Sequence, residues 1–225
     1  MPEVADPPAA AGRPHGHHVR RSGQRRALDL RGHRHQHHLQ PALHPAAAGH
    51  APAGHHLLRA GRAGLAATGH AGRRRQRRAL RALLDSSPLV QATAAGDGLL
   101  DPGKSVTLRI QGNPWRDRLS LAAMLIPTND AFVALNAVPL PQPGWPAQTY
   151  TAVAYDAGSE VNDELCSSTP GPFFAECGGS GGGGGVGGGE GFVHVHRGVH
   201  GAGDFKPIGR DWRNPVAEVR VRLVR

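Results

Sequence analysis

His194, His196 and His200 are the three histidines of the chain beyond its first 70 residues, and all three are metal-capable. In a strand, positions two apart point to the same face, so His194 and His196 can reach one ion, with His200 returning from the turn at Gly198. Imidazole nitrogens suit zinc or copper and not calcium, so an ion held here would be a transition metal. The alternative is that the three rings hydrogen-bond loop backbone and order the neighbouring turns. Cys166 and Cys177 enclose a short stretch containing Pro and Gly; they are either a local disulfide of an oxidising compartment or two free thiols of a reduced protein. The run from Gly178 to Gly189, broken only by Ser180 and Val186, matches a Gly-x-Ser-x-Gly string and loose phosphate-loop strings. A glycine run meets such patterns by chance, and no strand-to-helix context surrounds it, so it reads as a flexible loop. No other set of nucleophile, base and orienting group stands out, and no enzyme is expected.

The elements that must position these residues are short strands. Leu80, Leu83 and Leu84 have helical spacing and Ser86-Ser87-Pro88 stops the turn, which predicts a short helix from Ala79. Val106, Leu108 and Ile110 alternate with Thr107 and Arg109, the pattern of a half-buried strand. Leu119 to Ile126 is nearly all apolar, as in a central strand covered on both faces. Further strands are expected at Phe132–Leu135, Tyr150–Tyr155, Phe192–His196 and Val216–Val224. In the last, Ala217, Val219, Val221 and Leu223 face one way and Glu218, Arg220 and Arg222 the other. Trp212 and Arg213 are read as packing and surface anchoring for it, with Asn214-Pro215 setting the turn that starts it. Gly- and Pro-rich turns between short strands, with little helix, indicate an all-β antiparallel sandwich.

The first 78 residues obey other statistics. They carry 14 Arg against Glu3, Asp6 and Asp29, a net of +11, while the remainder nets −2, from 12 Lys plus Arg against 14 acids. Twelve of the 15 histidines lie at or before His70, and every aromatic residue lies at or beyond Trp115. Stretches such as Arg31 to His38 and Arg73 to Arg78 have no strand or helix period and little apolar surface to repay the entropy of ordering, so residues 1–78 are expected to be disordered. Arg outnumbers Lys 24 to 2, the mark of GC-rich coding DNA. Out-of-frame translation of such DNA yields Arg, Ala, Gly, Pro and His, as here, so the segment up to about Arg78 reads as a wrong-frame product. Under that reading the sandwich of residues 79–225 lacks one or more amino-terminal strands and exposes edges. A genuine disordered tail, or a basic arm binding an anionic polymer or metal, are the other readings. Nucleic acid is not the expected partner, because the segment has no aromatic residue to stack on bases. The start lacks the profile of a signal peptide, and no run approaches a membrane span.

Four segments carry a more specific signal: Met124–Asn136 (MLIPTNDAFVALN), Ala154–Glu164 (AYDAGSEVNDE), Gly189–Gly201 (GEGFVHVHRGVHG) and Asp211–Ala217 (DWRNPVA). In this order, over about 145 residues, they resemble the spondin domain in the form found in microbial secreted proteins, related to the amino-terminal modules of F-spondin and mindin. The resemblance implies an eight-stranded antiparallel β-sandwich similar to calcium-dependent membrane-docking domains, with a divalent cation at one end. It also implies an extracellular or cell-envelope setting and a role in adhesion or recognition, with a protein, glycan or lipid surface as partner. Carried over by motif, the metal ligands are Asp130, Asp156 and Glu160; the animal modules have aspartate where Glu160 stands. Three hard carboxylates can supply three to six of the roughly 6–8 oxygens that calcium takes, with magnesium second because of its stricter geometry. Without an ion, the same acids would cap turns or solvate loop ends.

Overall fold

The structure, a computed structural model, describes residues 25–32, 42–52, 70–96, 98–169, 175–178, 187–208 and 210–224, with side chains from Arg77 onward. Its elements are β1 (Arg25–Gly32), β2 (Ala42–Pro52), α1 (His70–Asp85), β3 (Thr93–Ala94), β4 (Ser105–Gln111), β5 (Asp117–Ile126), β6 (Ala131–Pro139), β7 (Gln148–Asp156), β8 (His194–Val195) and β9 (Ala217–Leu223). A 3-10 turn spans Ala175–Cys177. The strands pair antiparallel in the order β3-β2-β5-β6-β7-β9-β1-β4, with β8 also on β7. The fold is β-sandwich-like, with one short helix.

β7 is the strand that joins the two layers. Its first half, Gln148–Ala152, pairs with Val221–Ala217 of β9, while Val153–Asp156 pairs with Ala134–Ala131 of β6. A strand that changes partners in this way turns the corner of a sandwich. Between the layers lies one core, in which Leu108 and Ile110 of β4 meet Leu119, Leu121 and Leu125 of β5, Val133 of β6, and Val219 and Val221 of β9. The alternation expected of the last strand holds: Ala217, Val219 and Val221 are buried, and Arg220 and Arg222 exposed.

α1, β1, β2 and β8 differ from the sequence reading. α1 begins at His70, not Ala79; among its described side chains Leu84 is buried, Leu80 half-buried and Leu83 exposed. It stops where expected, with Ser86 Oγ donating to the carbonyl of Leu83 and Pro88 two residues on. Two strands precede it where the reading expected strands to be missing. The backbone of β1 lies between β4 and β9, and that of β2 beside β5. Leu28 stands in register with Leu108 and Val221, and Leu30 with Val106 and Val219, so the apolar period of β1 matches its neighbours'. That period is two residues long within an Arg-rich segment, too short to read from composition. The remaining positions of residues 1–69, and with them most of the expected disorder, lie outside the described residues, as do positions 179–186 of the glycine-rich run. The strand expected at Phe192–His196 shrinks to His194–Val195, because β7 ends at Asp156 and Gly191 and Gly198 take left-handed backbone on either side.

Candidate metal centre

The turn from β5 to β6 is built by the residues that precede Asp130. Thr128 Oγ1 donates to the Leu125 carbonyl at 2.6 Å and accepts from Ala131 N at 3.2 Å, closing the turn on itself. Asn129 reaches outward: its Nδ2 donates to the Val161 carbonyl at 2.7 Å and its Oδ1 accepts from Thr169 Oγ1 at 2.8 Å. This clamps the loop after β7 against the turn. Asp130 completes the join, with Oδ2 accepting from Ser159 N at 2.7 Å, Ser159 Oγ at 2.6 Å and Glu160 N at 3.0 Å. Its other oxygen, Oδ1, is buried without a hydrogen-bond partner.

Asp156 closes β7, directly opposite Ala131 on one side and His194 on the other. Its Oδ1 accepts from Gly158 N at 2.7 Å, and its Oδ2 from Asn162 Nδ2. Gly158 turns the chain with φ +67°, where an added Cβ would lie 2.1 Å from the Phe192 carbonyl oxygen. The expected ligands Asp130, Asp156 and Glu160 are therefore brought to one end of the sandwich, and are only 1%, 0% and 1% exposed. Burial pushes the Asp130 carboxyl above the usual range, and the nearby negative charge of Asp156 adds to the rise against the bonds from Ser159 and Glu160.

The histidines separate into three roles. His196 is buried, lies tilted against Trp212 with the ring centroids 5.0 Å apart, and accepts from Gly198 N at its Nδ1. Burial lowers it from 6.5 to about 4. Its Nε2 lies 4.0 Å from Asp156 Oδ2. His200 is half exposed, with Nε2 2.9 Å from the Arg197 carbonyl and 3.7 Å from Asp211. These two follow the backbone-ordering alternative. His194 also meets backbone, with Nδ1 3.2 Å from the Val195 carbonyl, but its Nε2 faces a side chain, 3.3 Å from Glu190 Oε2. Burial pulls His194 down, yet its bonds to Val195 and Glu190 and the charges of Asp156 and Glu190 outweigh this and leave it raised.

Among the described residues, the group of three His, Cys, Asp or Glu whose ligand atoms all lie within 4.8 Å of one another is Asp156, Glu190 and His194. The three expected carboxylates do not meet that distance, and neither do the three histidines. Glu190 was not singled out by sequence reasoning, because it sits at the end of a glycine run. The available signal was its place four residues before His194, across the Gly191 turn.

The disulfide between Cys166 and Cys177 closes the loop beyond this centre, with the Cα atoms 5.4 Å apart. Beside it, Glu176 pairs with Arg210, a bond that holds the Glu176 carboxyl below the usual range. Glu164 pins the next loop, its carboxylate accepting from His200 N, Gly201 N and Ala202 N. Trp212 packs as expected, and Asn214 starts β9 by accepting Ala154 N at 2.7 Å. Among the described residues no helix is long and apolar enough to cross a membrane. No family model matches the chain, and no curated protein matches it.

Proposed function

We propose that this chain is a non-enzymatic, cation-dependent recognition module of the spondin type, in which Asp130, Asp156 and Glu160 hold a calcium ion at one end of the sandwich. The observation that carries the reading is the burial of all three carboxylates, each at most 1% exposed, at the turns that end β5 and β7, with Asp130 Oδ1 left without a hydrogen-bond partner. An ionised carboxylate is costly to bury unless a positive charge offsets it. The bonds that Asp130 and Asp156 accept come from backbone amides, a hydroxyl and an amide side chain, none of which carries charge. A hard divalent cation supplies that charge and takes oxygen ligands, which fits the donor set.

With the ion bound, the turn after β5 and the loop after β7 form one rigid end, from which Phe192 and Val195 are exposed. That end is the proposed contact surface for an extracellular protein, glycan or lipid surface. The disulfide supports an oxidising setting. Metal analysis of the purified chain after dialysis against calcium tests the proposal. About one calcium per chain should be retained and be lost from Asp156→Asn; equal retention by the variant would overturn it.

A further inference from the structure

We propose that Asp156, Glu190 and His194 form a second cation site, for a divalent transition ion of zinc's class, beside the buried carboxylates. It rests on the calcium reading only in sharing Asp156. The backbone builds the site. His194 stands opposite Asp156 in the β7–β8 ladder, which puts the two side chains on one face. Glu190 is delivered by a segment laid across the loop after β7: Val161 N donates to the Gly187 carbonyl at 3.0 Å, and Gly191 N to the Gly158 carbonyl at 2.8 Å. Glu160 and Gly188 form a bridge between these bonds.

The chemistry of His194 points to a cation. Its Nδ1 lies 3.2 Å from the Val195 carbonyl, which can only accept, so Nδ1 carries the proton of the neutral ring. Nε2 of that neutral ring then presents a lone pair, screened from water, toward Glu190 Oε2 at 3.3 Å. A lone pair facing carboxylates is repulsive unless a positive charge lies between them. A ring whose other N–H is held by a carbonyl is the usual setting of a metal-ligating histidine. One imidazole and two carboxylates suit zinc, cobalt or manganese, whereas calcium does not select imidazole. Asp156 is fully buried while the His194 and Glu190 side chains are 30% and 43% exposed, so three protein ligands leave room for water in the remaining positions. The competing arrangement is a protonated imidazolium paired with Glu190, which needs no ion.

The test is nitrogen-15 NMR of the His194 ring in the full chain, its signal assigned by its loss in His194→Ala. Zinc is held at buffered free concentrations, because the 12 histidines at or before His70 offer competing imidazoles. We expect zinc to move the Nε2 resonance saturably at neutral pH. Glu190→Gln should weaken that response at least about tenfold, and Glu218→Gln, on β9, should leave it in place. A resonance that titrates with pH and ignores zinc would overturn the proposal, as would an unchanged response in Glu190→Gln. Calcium binding followed on the same samples separates the two sites: loss of calcium retention alone refutes the first reading and leaves this one standing.

Discussion

Asp130 has a pH signature that follows from its surroundings. Burial, then the charge of Asp156, raises its folded pKa above the unfolded value of 3.8. The folded state therefore binds the proton more tightly. Without an ion, this stabilisation is full below the unfolded value and is lost as pH rises through the raised one. In chelator at neutral pH, Asp130→Asn should raise the melting temperature, since the amide keeps an oxygen for Ser159 and Glu160 and removes a buried charge. In calcium the same variant should lose the ion's stabilisation. A melting temperature lowered equally in both buffers would contradict this account. His196 has the opposite sign. Its folded value of about 4 lies below 6.5, so its contribution is full above 6.5 and is lost as pH falls toward 4. The difference is worth on the order of 3 kcal/mol. Asp130 and Glu164 act to raise this ring, and Arg197 and His194 to lower it, but burial dominates. Denaturant titrations at pH 4.5 and 7 should show a smaller pH dependence in His196→Gln than in the parent chain.

Glycines let the elements approach closely enough to make the site. An added Cβ at Gly189 would lie 2.5 Å from the Gly158 carbonyl oxygen and 2.6 Å from Glu160 N, both backbone atoms that cannot swing aside. Gly189→Ala should destabilise the fold by about 1–3 kcal/mol, read from chemical unfolding. It should also displace Glu190, so that the zinc response of His194 weakens. An unchanged stability would mean that the two loops are not held as described. The strands that hold these loops were legible in the sequence because alternation is local: Val106 to Ile110 falls within β4, Leu119 to Ile126 within β5, and Tyr150 to Tyr155 within β7. So was the placing of Asp130 and Asp156 at strand ends. The length of β8 was not legible, because it is set by where β7 stops. Nor was Glu190, whose approach to His194 depends on backbone bonds to a loop some 30 residues earlier.

At the scale of the molecule, charge and fold follow different parts of the chain. The excess of +11 belongs to residues 1–78, while the described carboxylate end lies in a segment netting −2. A cation bound there would link the β5–β6 turn, the end of β7 and, through Asp156, the β8 strand. Its binding energy would therefore appear as stability of the whole sandwich. With calcium at about 100 times its dissociation constant, the gain is roughly 2.7 kcal/mol, or about 5–10 °C for a domain of this size. The direct measurement is thermal unfolding of the full chain in calcium and in chelator, with Asp156→Asn alongside. The account predicts a shift of this size in the parent chain and none in the variant. Superimposable curves for the parent chain in the two buffers would contradict it.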